Sequence, residues 1–378
     1  MKRYPAMRHI RRAAVCATAV GLSLGLALAP AGAAPSGGEI QVAAAEFIGE
    51  EILPTGLMFA GTEVGGLSGI AYDAVRGLYY AISDDRSQLA PARFYTLRID
   101  VADGSLDNGD VTVIDVTTLR DRLGRTFPAL SLDPESIALS PRRTLIITSE
   151  GDASQLIDPF VREFRLSGRQ LTNLAVPDYY DPVPDGSAGV RNNLAFESGG
   201  FSPDGAFYFT RTENALAPDG PSATVTMSSP ARLLRYDSSG RLDREFVYVV
   251  EPVPAAPIPP DGFAVNGLVD VLPLSATRAV AMERSFSVGV GNDARLYLVD
   301  TAAASNVRGR PTLPADLSSV RPVHKTLLFD LDALGIVLDN LEGLTLGPTL
   351  ADGRQTVLIV SDNNFSTTQV TQFLAFTV

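Results

Sequence analysis

Acidic residues recur at two kinds of position in this 378-residue chain. Some open a short apolar run, and others stand directly after the apolar run that comes next. Three repeats have an acid at both positions: Glu135 with Glu150, Glu197 with Glu213, and Glu342 with Asp362. A further repeat has Asp84 and Asp85 after its second run, and another has Asn266 and Asp270 in its first run and Glu283 in its second. Clustered carboxylates repel one another and raise each other's pKa unless a cation lies between them. If these positions meet in the fold, their chemistry is that of a cation site.

Ligand sets made only of oxygen suit calcium. The sequence therefore predicts a calcium site with eight candidate ligands, which are Glu135, Glu150, Glu197, Glu213, Glu342, Asp362, Asp84 and Asp85. The alternative is that these acids are ordinary loop residues of an acidic protein that accept hydrogen bonds from backbone amides. Duplication of a repeat also copies its structural residues, so acids can recur at one position without binding a cation.

Three arginines, Arg86, Arg211 and Arg284, adjoin the same acids. A guanidinium binds a carboxylate or a phosphate through two parallel hydrogen bonds. Two interpretations stay open: the arginines either neutralise the acids or hold an anionic substrate. In the second interpretation the candidate catalytic residues are these three arginines and Glu283.

Histidine and cysteine chemistry is disfavoured by scarcity. The histidines are His9 and His324, and His324 precedes a predicted outer strand. A Ser-His-Asp mechanism needs its histidine base within hydrogen-bond reach of the nucleophile. A zinc site with histidine ligands needs several histidines. The single cysteine, Cys16, lies in the N-terminal apolar run, so the chain after it has no thiolate ligand and no disulfide.

The N-terminus is typical of a secretory signal. Five basic residues within positions 1–12 precede an apolar run over 13–29 and the small residues Ala31-Gly-Ala-Ala. We expect cleavage near Ala33 or Ala34, a single domain over residues 35–378, and a secreted monomer that is not inserted in a membrane. Cleavage removes five positive charges and no acid, so the net charge of −12 becomes about −17. Such an acidic chain lacks the basic surface that nucleic-acid binding requires.

The elements that must position these residues form an internal repeat. Each unit has three short apolar or alternating runs bounded by Gly, Pro, Asp or Ser, which is typical of strands. The first runs begin at Leu67, Glu135, Glu197, Asn266 and Glu342. Four units add a fourth run, over 111–116, 171–176, 245–250 and 325–331. Four strands per unit, repeated around a centre, predict an all-β propeller of five blades, or of six if an irregular stretch holds another.

The last unit ends with three strands, and a lone strand-like run over 46–53 remains near the N-terminus. We expect this run to supply the missing outer strand, because pairing removes an open sheet edge. In an antiparallel blade the start of the first strand and the end of the second lie at the same rim. The candidate acids and arginines should therefore converge on one mouth of the central channel.

Several motifs resemble a known family. They are Leu67-Ser-Gly-Ile-Ala-Tyr-Asp, Asp133-Pro-Glu-Ser-Ile-Ala-Leu, Phe196-Glu-Ser-Gly-Gly-Phe-Ser-Pro-Asp-Gly, Asp339-Asn-Leu-Glu-Gly-Leu-Thr-Leu-Gly and Val360-Ser-Asp-Asn-Asn-Phe. From about residue 60 to its end, the chain resembles the secreted phytase-like family described as having esterase-like activity. The resemblance implies a β-propeller similar to phytases that hydrolyse phosphate esters with calcium ions and a cationic clamp. Because Lys325 is the only lysine after the signal, a clamp here would consist of arginines.

Two classes of function follow. The first is a calcium-dependent esterase that hydrolyses a small anionic phosphate or other ester, in which an arginine stabilises developing negative charge. The second is a non-catalytic extracellular propeller that binds a ligand or a protein partner at the same mouth. Turnover that a chelator abolishes would distinguish the first class from the second.

Overall fold

The computed structural model describes residues 45–378, so the predicted signal over 1–34 lies outside the described residues. The described part starts with β1 (Glu46–Leu53) and a small hairpin of β2 (Met58–Phe59) and β3 (Thr62–Glu63). Blade 1 consists of β4 (Leu67–Asp73), β5 (Leu78–Ser83), β6 (Arg93–Ile99) and β7 (Val111–Thr118). Blade 2 consists of β8 (Pro134–Leu139), β9 (Thr144–Ser149), β10 (Phe160–Arg165) and β11 (Gln170–Leu174).

Blade 3 consists of β12 (Phe196–Phe201), β13 (Phe207–Thr212), β14 (Ser229–Asp237) and β15 (Leu242–Val250). Blade 4 consists of β16 (Ala264–Pro273), β17 (Arg278–Ser287), β18 (Gly291–Asp300) and β19 (His324–Asp330). Blade 5 joins β20 (Leu341–Thr349), β21 (Gln355–Ser361) and β22 (Thr371–Thr377) to β1. Short 3₁₀ helices lie at Ala153–Gln155, Asp178–Tyr180, Ala217–Asp219 and Leu331–Leu334.

The predicted five-bladed propeller is confirmed. In blades 1 to 4 the four strands pair antiparallel in sequence order, in blade 5 the N-terminal β1 takes the outer place, and the innermost strands β4, β8, β12, β16 and β20 contact one another around the ring. All four predicted fourth runs are outer strands, with bounds that shift by a few residues. Over residues 45–378, no helix is long and apolar enough to cross a membrane.

The predicted closure by the N-terminal strand is also confirmed. Strand β1 pairs antiparallel with β22, from Glu46 opposite Thr377 to Leu53 opposite Thr371. Glu51 of β1 then accepts hydrogen bonds from the backbone N–H groups of Gly109 and Val111 in blade 1, at 2.9 and 2.6 Å. The closing strand therefore completes blade 5 and ties it to blade 1.

The core lies between the blades. Five apolar clusters each contain buried side chains of two neighbouring blades, such as Ile82 of blade 1 with Ile147 of blade 2, and Met282 of blade 4 with Ile359 of blade 5. A blade sheet is thus covered on both faces. This explains why many strands are continuous apolar runs, because strict alternation marks a sheet with one solvated face.

Candidate functional site at the channel mouth

A β-bulge in each inner strand sets the first ring of side chains. The pairing register shifts between Leu67 and Gly69, Pro134 and Ile137, Phe196 and Ser198, Leu268 and Asp270, and Leu341 and Gly343. The residues within these shifts include Ser68, Glu135, Glu197, Val269 and Glu342. A bulge leaves its extra residue out of the ladder and turns its side chain in a new direction. Three of the five bulges therefore present a glutamate.

A second ring of side chains follows the second strands. The backbone N–H groups of Asp84, Glu150, Glu213 and Asp362 each donate to a carbonyl just before the neighbouring inner strand, at 2.8 to 3.1 Å. The equivalent position in blade 4 is occupied by Arg284, which pairs with Gly267 in front of Leu268. This ring therefore holds four acids and one arginine.

Glu283 is not brought into the cluster, although the sequence grouped it with the mouth residues. It precedes Arg284 in β17, and successive side chains of a strand point to opposite faces. Its carboxylate accepts hydrogen bonds from Tyr248 at 2.8 Å, Asn266 at 2.9 Å and Lys325 at 2.5 Å. Glu283 thus binds Tyr248 of blade 3 and Lys325 of the outer strand of blade 4, and Asn266 binds Glu283.

Asp85 also lies apart from the candidate cation site. Its carboxylate pairs with the buried Arg93 at 2.6 Å and accepts from the backbone N–H groups of Gln88, Leu89 and Ala90. Burial by itself would raise the pKa of Asp85, but these bonds outweigh it and lower the pKa. The residue orders the loop between β5 and β6.

Asp133, Glu135 and Glu150 form the tightest acidic group in the part of the chain that the structure describes. One carboxylate oxygen from each lies within 4.8 Å of the others. Burial is the main cause that raises the pKa of Asp133 to about 6 and that of Glu150 to about 8, and neighbouring carboxylates add to it. The pKa of Glu135 is raised for the same reasons. Three convergent carboxylate oxygens fit a hard cation.

Asp133 was absent from the predicted ligands. It lies before β8 and at neither of the two repeating positions, so the repeat did not predict it as a ligand. Arg86 reaches this side of the mouth, where its Nη2 donates to Asp152 at 2.7 Å and its Nε lies 3.5 Å from an oxygen of Asp133. Arg86 therefore neutralises acids at the edge of the group.

Asp84, Glu342 and Asp362 extend the acidic surface across blades 5 and 1. Burial, together with Glu342 and Asp133, raises the pKa of Asp84 to about 8, and its Oδ1 has no hydrogen-bond partner among the described residues. Burial and then Asp84 raise the pKa of Asp362. Gly66 has a positive φ of 63° and leaves room for Asp84, since a Cβ there would lie 1.9 Å from Oδ1. The backbone is shaped around this carboxyl group.

Blades 3 and 4 contribute arginines to the mouth. Arg211 is fully buried, and none of its three side-chain nitrogens has a hydrogen-bond partner among the described residues. Its closest ion-pair contact is an oxygen of Glu197 at 4.0 Å. Burial lowers the pKa of Arg211, yet a guanidinium stays charged in proteins.

Arg284 is better paired. Its Nη2 donates to Glu342 at 3.0 Å, but its Nε has no partner among the described residues. Burial acts to lower the pKa of Arg284, but the surrounding acids, led by Glu342, raise it overall. Buried donors without partners are costly, so they indicate a place for an anion or for water.

The remaining acids connect the two sides. Glu197 and Glu213 belong to blade 3, and burial followed by Glu213 and Glu150 raises the pKa of Glu197. Asp270 accepts from the backbone N–H groups of Val271 and Leu344, and burial raises its pKa to about 7. His324 is exposed at the start of the outer strand β19. The mouth thus combines a cation-binding geometry near blade 2 with free cationic donors near blades 3 and 4.

Comparisons with solved structures return matches at low similarity. An endo-arabinase from Bacteroides thetaiotaomicron is 10% identical, with 82% of this chain and 92% of that chain covered and a TM-score of 0.44. A tail fibre of a Staphylococcus aureus phage is 8% identical at a TM-score of 0.40, with 88% of this chain covered. The chain spans about half, 52%, of that tail fibre.

An oxidoreductase from Thermus thermophilus, described as a glucose dehydrogenase, is 12% identical at a TM-score of 0.38, with 90% of this chain and 99% of that chain covered. A search of curated protein sequences finds no match. The model of the phytase-like family, described as "Esterase-like activity of phytase", matches residues 62–365. Since this match covers all but the ends of the propeller, the protein belongs to the phytase-like family.

Proposed function

We propose that the protein is a calcium-dependent hydrolase of phosphate or other esters that acts at the acidic mouth of the propeller. The observation that supports it most is Arg211, a fully buried guanidinium with three unpartnered nitrogens beside a group of convergent carboxylates. Family membership is consistent with an esterase. Binding of a cation alone would not require a buried guanidinium whose three nitrogens lack hydrogen-bond partners among the described residues.

The residues fit a calcium ion. Asp133, Glu135 and Glu150 offer oxygen atoms within 4.8 Å of one another, and Asp84 has a buried oxygen with no partner among the described residues. Calcium takes six to eight oxygen ligands in flexible geometry, so side chains of this group could supply several of them. When bound, the cation would supply Lewis-acid polarisation of an ester oxygen.

The chain's own residues would orient the ester and stabilise its charge. Arg211 and the Nε of Arg284 would donate hydrogen bonds to the anionic oxygens, which gain negative charge in the transition state. Hydrolysis adds water across the ester: a water oxygen bonds to phosphorus or to the acyl carbon, the bond to the leaving alcohol breaks, and the alcohol oxygen takes up a proton. The buried setting strengthens these interactions, because the local dielectric is low.

A hydrolysis screen tests the proposal. Phosphomonoesters, phosphodiesters and carboxylic esters are assayed with calcium and with a chelator, for the wild type and for Arg211→Gln. We expect turnover that the chelator abolishes and that Arg211→Gln lowers by roughly 10²–10³, the usual effect of removing a donor to a developing anion.

Arg162→Gln is a matched control, because Arg162 is a partly buried arginine on the third strand of blade 2. Its guanidinium carbon lies 3.6 Å from the centre of the Phe160 ring. Its turnover should stay near that of the wild type. Absence of turnover with every ester class in calcium would contradict the hydrolase. It would leave the second class of function, an extracellular binding propeller.

A further inference from the structure

Exposed apolar side chains lie beside the arginine side of the mouth. Ile258 and Phe263, in the proline-rich connection before β16, are 66% and 64% exposed, and Val290, in the turn after β17, is 53% exposed. The ring of Phe286 lies 6.4 Å from that of Phe263. We call these four residues the blade 4 patch. Clustered apolar exposure of this kind marks binding surfaces.

The blade 4 patch is held in place by the backbone. The N–H of Ile258 donates to Val288 at 2.7 Å, and the N–H of Val288 donates to Phe263 at 3.0 Å. The hydroxyl of Ser287 donates to the carbonyl of Ala255 at 2.7 Å. A surface fixed before binding loses little conformational entropy when a ligand covers it. The exposure of these side chains is therefore a built feature of the connection.

The patch is continuous with the anion-binding donors. Arg284 and Phe286 are two residues apart in β17, so they lie on the same face of the strand with Cα atoms about 7 Å apart. The Nε of Arg284 has no partner among the described residues, and Arg211 has three free nitrogens. A molecule whose anionic end meets these donors would extend past Phe286 onto the patch.

Charge at the mouth limits the rest of that molecule. Arg86 forms ion pairs with two acids, Asp152 and Asp133, and although its Nε also lacks a hydrogen-bond partner among the described residues, it faces Asp133 at 3.5 Å. We therefore take Arg211 and Arg284 as the donors to an anion. Each of these two arginines stands beside a carboxylate, Glu197 or Glu342. A second anionic group on the ligand would meet these acids and be repelled. One anionic group is therefore favoured over several.

We propose that the substrate is an ester with one anionic group and an uncharged apolar remainder that packs on the blade 4 patch. This inference rests on the proposed function, because it takes Arg211 and Arg284 as the site of the anionic group. It selects alkyl or aryl esters over polyphosphorylated polyols.

Binding of non-hydrolysable alkylphosphonates tests the inference without requiring catalysis. Methyl-, butyl- and octylphosphonate are titrated by calorimetry in calcium buffer, with inorganic phosphate as competitor. A fully buried methylene strengthens binding about fourfold. For a half-open surface, we expect octylphosphonate to bind at least about tenfold more tightly than methylphosphonate, and phosphate to displace it.

The variants Phe263→Ser and Ile258→Ser should each reduce the ratio of octyl to methyl affinity. Val75→Ser is the matched control, because Val75 is 79% exposed in the turn between β4 and β5 of blade 1, at the end of that blade away from the channel mouth. Its ratio should equal that of the wild type. Equal affinity for all chain lengths in the wild type would overturn this inference alone, and so would an unchanged ratio in both patch variants. Failure of every phosphonate to bind, together with absence of turnover in the ester screen, would overturn the proposed function as well.

Discussion

Replacing Glu150 by glutamine should make the metal-free protein more stable and its response to calcium weaker. The carboxyl group of Glu150 is buried, and burial followed by Asp133 and Glu213 raises its pKa from 4.5 to about 8. Glutamine keeps the shape and the oxygen that accepts from Ala195, but it carries no charge. The variant therefore removes the cost of protonating a buried carboxyl group on folding, together with a candidate calcium ligand.

The magnitude follows from the shift in pKa. At pH 7 the unfolded carboxyl group is ionised and the folded one is protonated, so folding must take up a proton. Each pKa unit corresponds to about 1.36 kcal/mol, and the interval from 4.5 to 7 gives a cost of about 3 kcal/mol that the glutamine variant avoids. The folded state binds more protons than the unfolded state between these values. The stability of the metal-free wild type should therefore fall as pH rises from about 4.5 to about 8.

Calcium should act in the opposite direction on the wild type. A ligand that binds only the native state at 100 times its Kd adds about 2.7 kcal/mol, and each tenfold loss of affinity removes about 1.4 kcal/mol of that gain. Chemical denaturation is measured at pH 5.5, 7 and 8.5, with calcium and with chelator. We expect Glu150→Gln to unfold at higher denaturant than the wild type in chelator at pH 7, and to gain little from calcium.

Glu46→Gln controls for the change of glutamate to glutamine. Glu46 is exposed in β1 and pairs with Arg354 at 2.6 Å, a contact that solvent screens and that contributes little to stability. Its calcium response should equal that of the wild type. The burial argument would be refuted if Glu150→Gln were less stable than the wild type in chelator. A wild type that calcium leaves unchanged would remove the cation from the proposed function.

Three further predictions concern the frame of the site and its export. A chain that starts at residue 56 lacks β1 and should lose several kcal/mol of stability, because the edge of β22 and the apolar side chains beneath β1 become exposed; denaturation equal to that of the chain starting at residue 35 would contradict this. Arg143→Ala removes one partner of the buried carboxylate of Asp73, which keeps hydrogen bonds from Tyr80 and from the backbone of the following turn, so we expect a loss of about 1–2 kcal/mol at pH 7, as measured by denaturation. Because the pKa of Asp73 is lowered in the folded state, this loss should shrink as pH falls below about 4. We propose that the chain is exported and cleaved, so N-terminal sequencing of secreted protein should start near Ala34 or Pro35, and an uncleaved cytoplasmic product would refute this.

The fold could be predicted from the sequence because its signals are local and repeated. Apolar runs with turn residues between them recur with the same internal order in all five units, and the lone run over 46–53 had one open edge to fill. Placement of Glu135, Glu197 and Glu342 around one mouth follows from antiparallel pairing alone. None of these steps requires knowledge of a specific side-chain contact.

The finer arrangement of the site depends on features that have no sequence signature. The bulge in β16 lies between Leu268 and Asp270, so the residue of β17 at the second-ring position is Arg284 and not Glu283. A shift of one residue places a side chain on the opposite face of a strand. Asp85 is removed from the candidate ligands by its pairing with Arg93, which lies on the next strand. Asp133 joins Glu135 and Glu150 through tertiary pairing, since the backbone N–H of Glu150 donates to the carbonyl of Asp133.

The departure of blade 4 from the repeat is what gives the mouth a direction. A ring of five identical acidic blades would have no preferred orientation for a ligand, and its carboxylates would repel any anion. In blade 4 the bulge position is Val269 and the second-ring position is Arg284, and the neighbouring blade 3 adds Arg211. The group of Asp133, Glu135 and Glu150 therefore lies at blade 2, and the nitrogens of Arg211 and Arg284 that have no hydrogen-bond partner among the described residues lie at blades 3 and 4. An anionic ester between the two sides would have one way to bind, which is the condition for a positioned reaction.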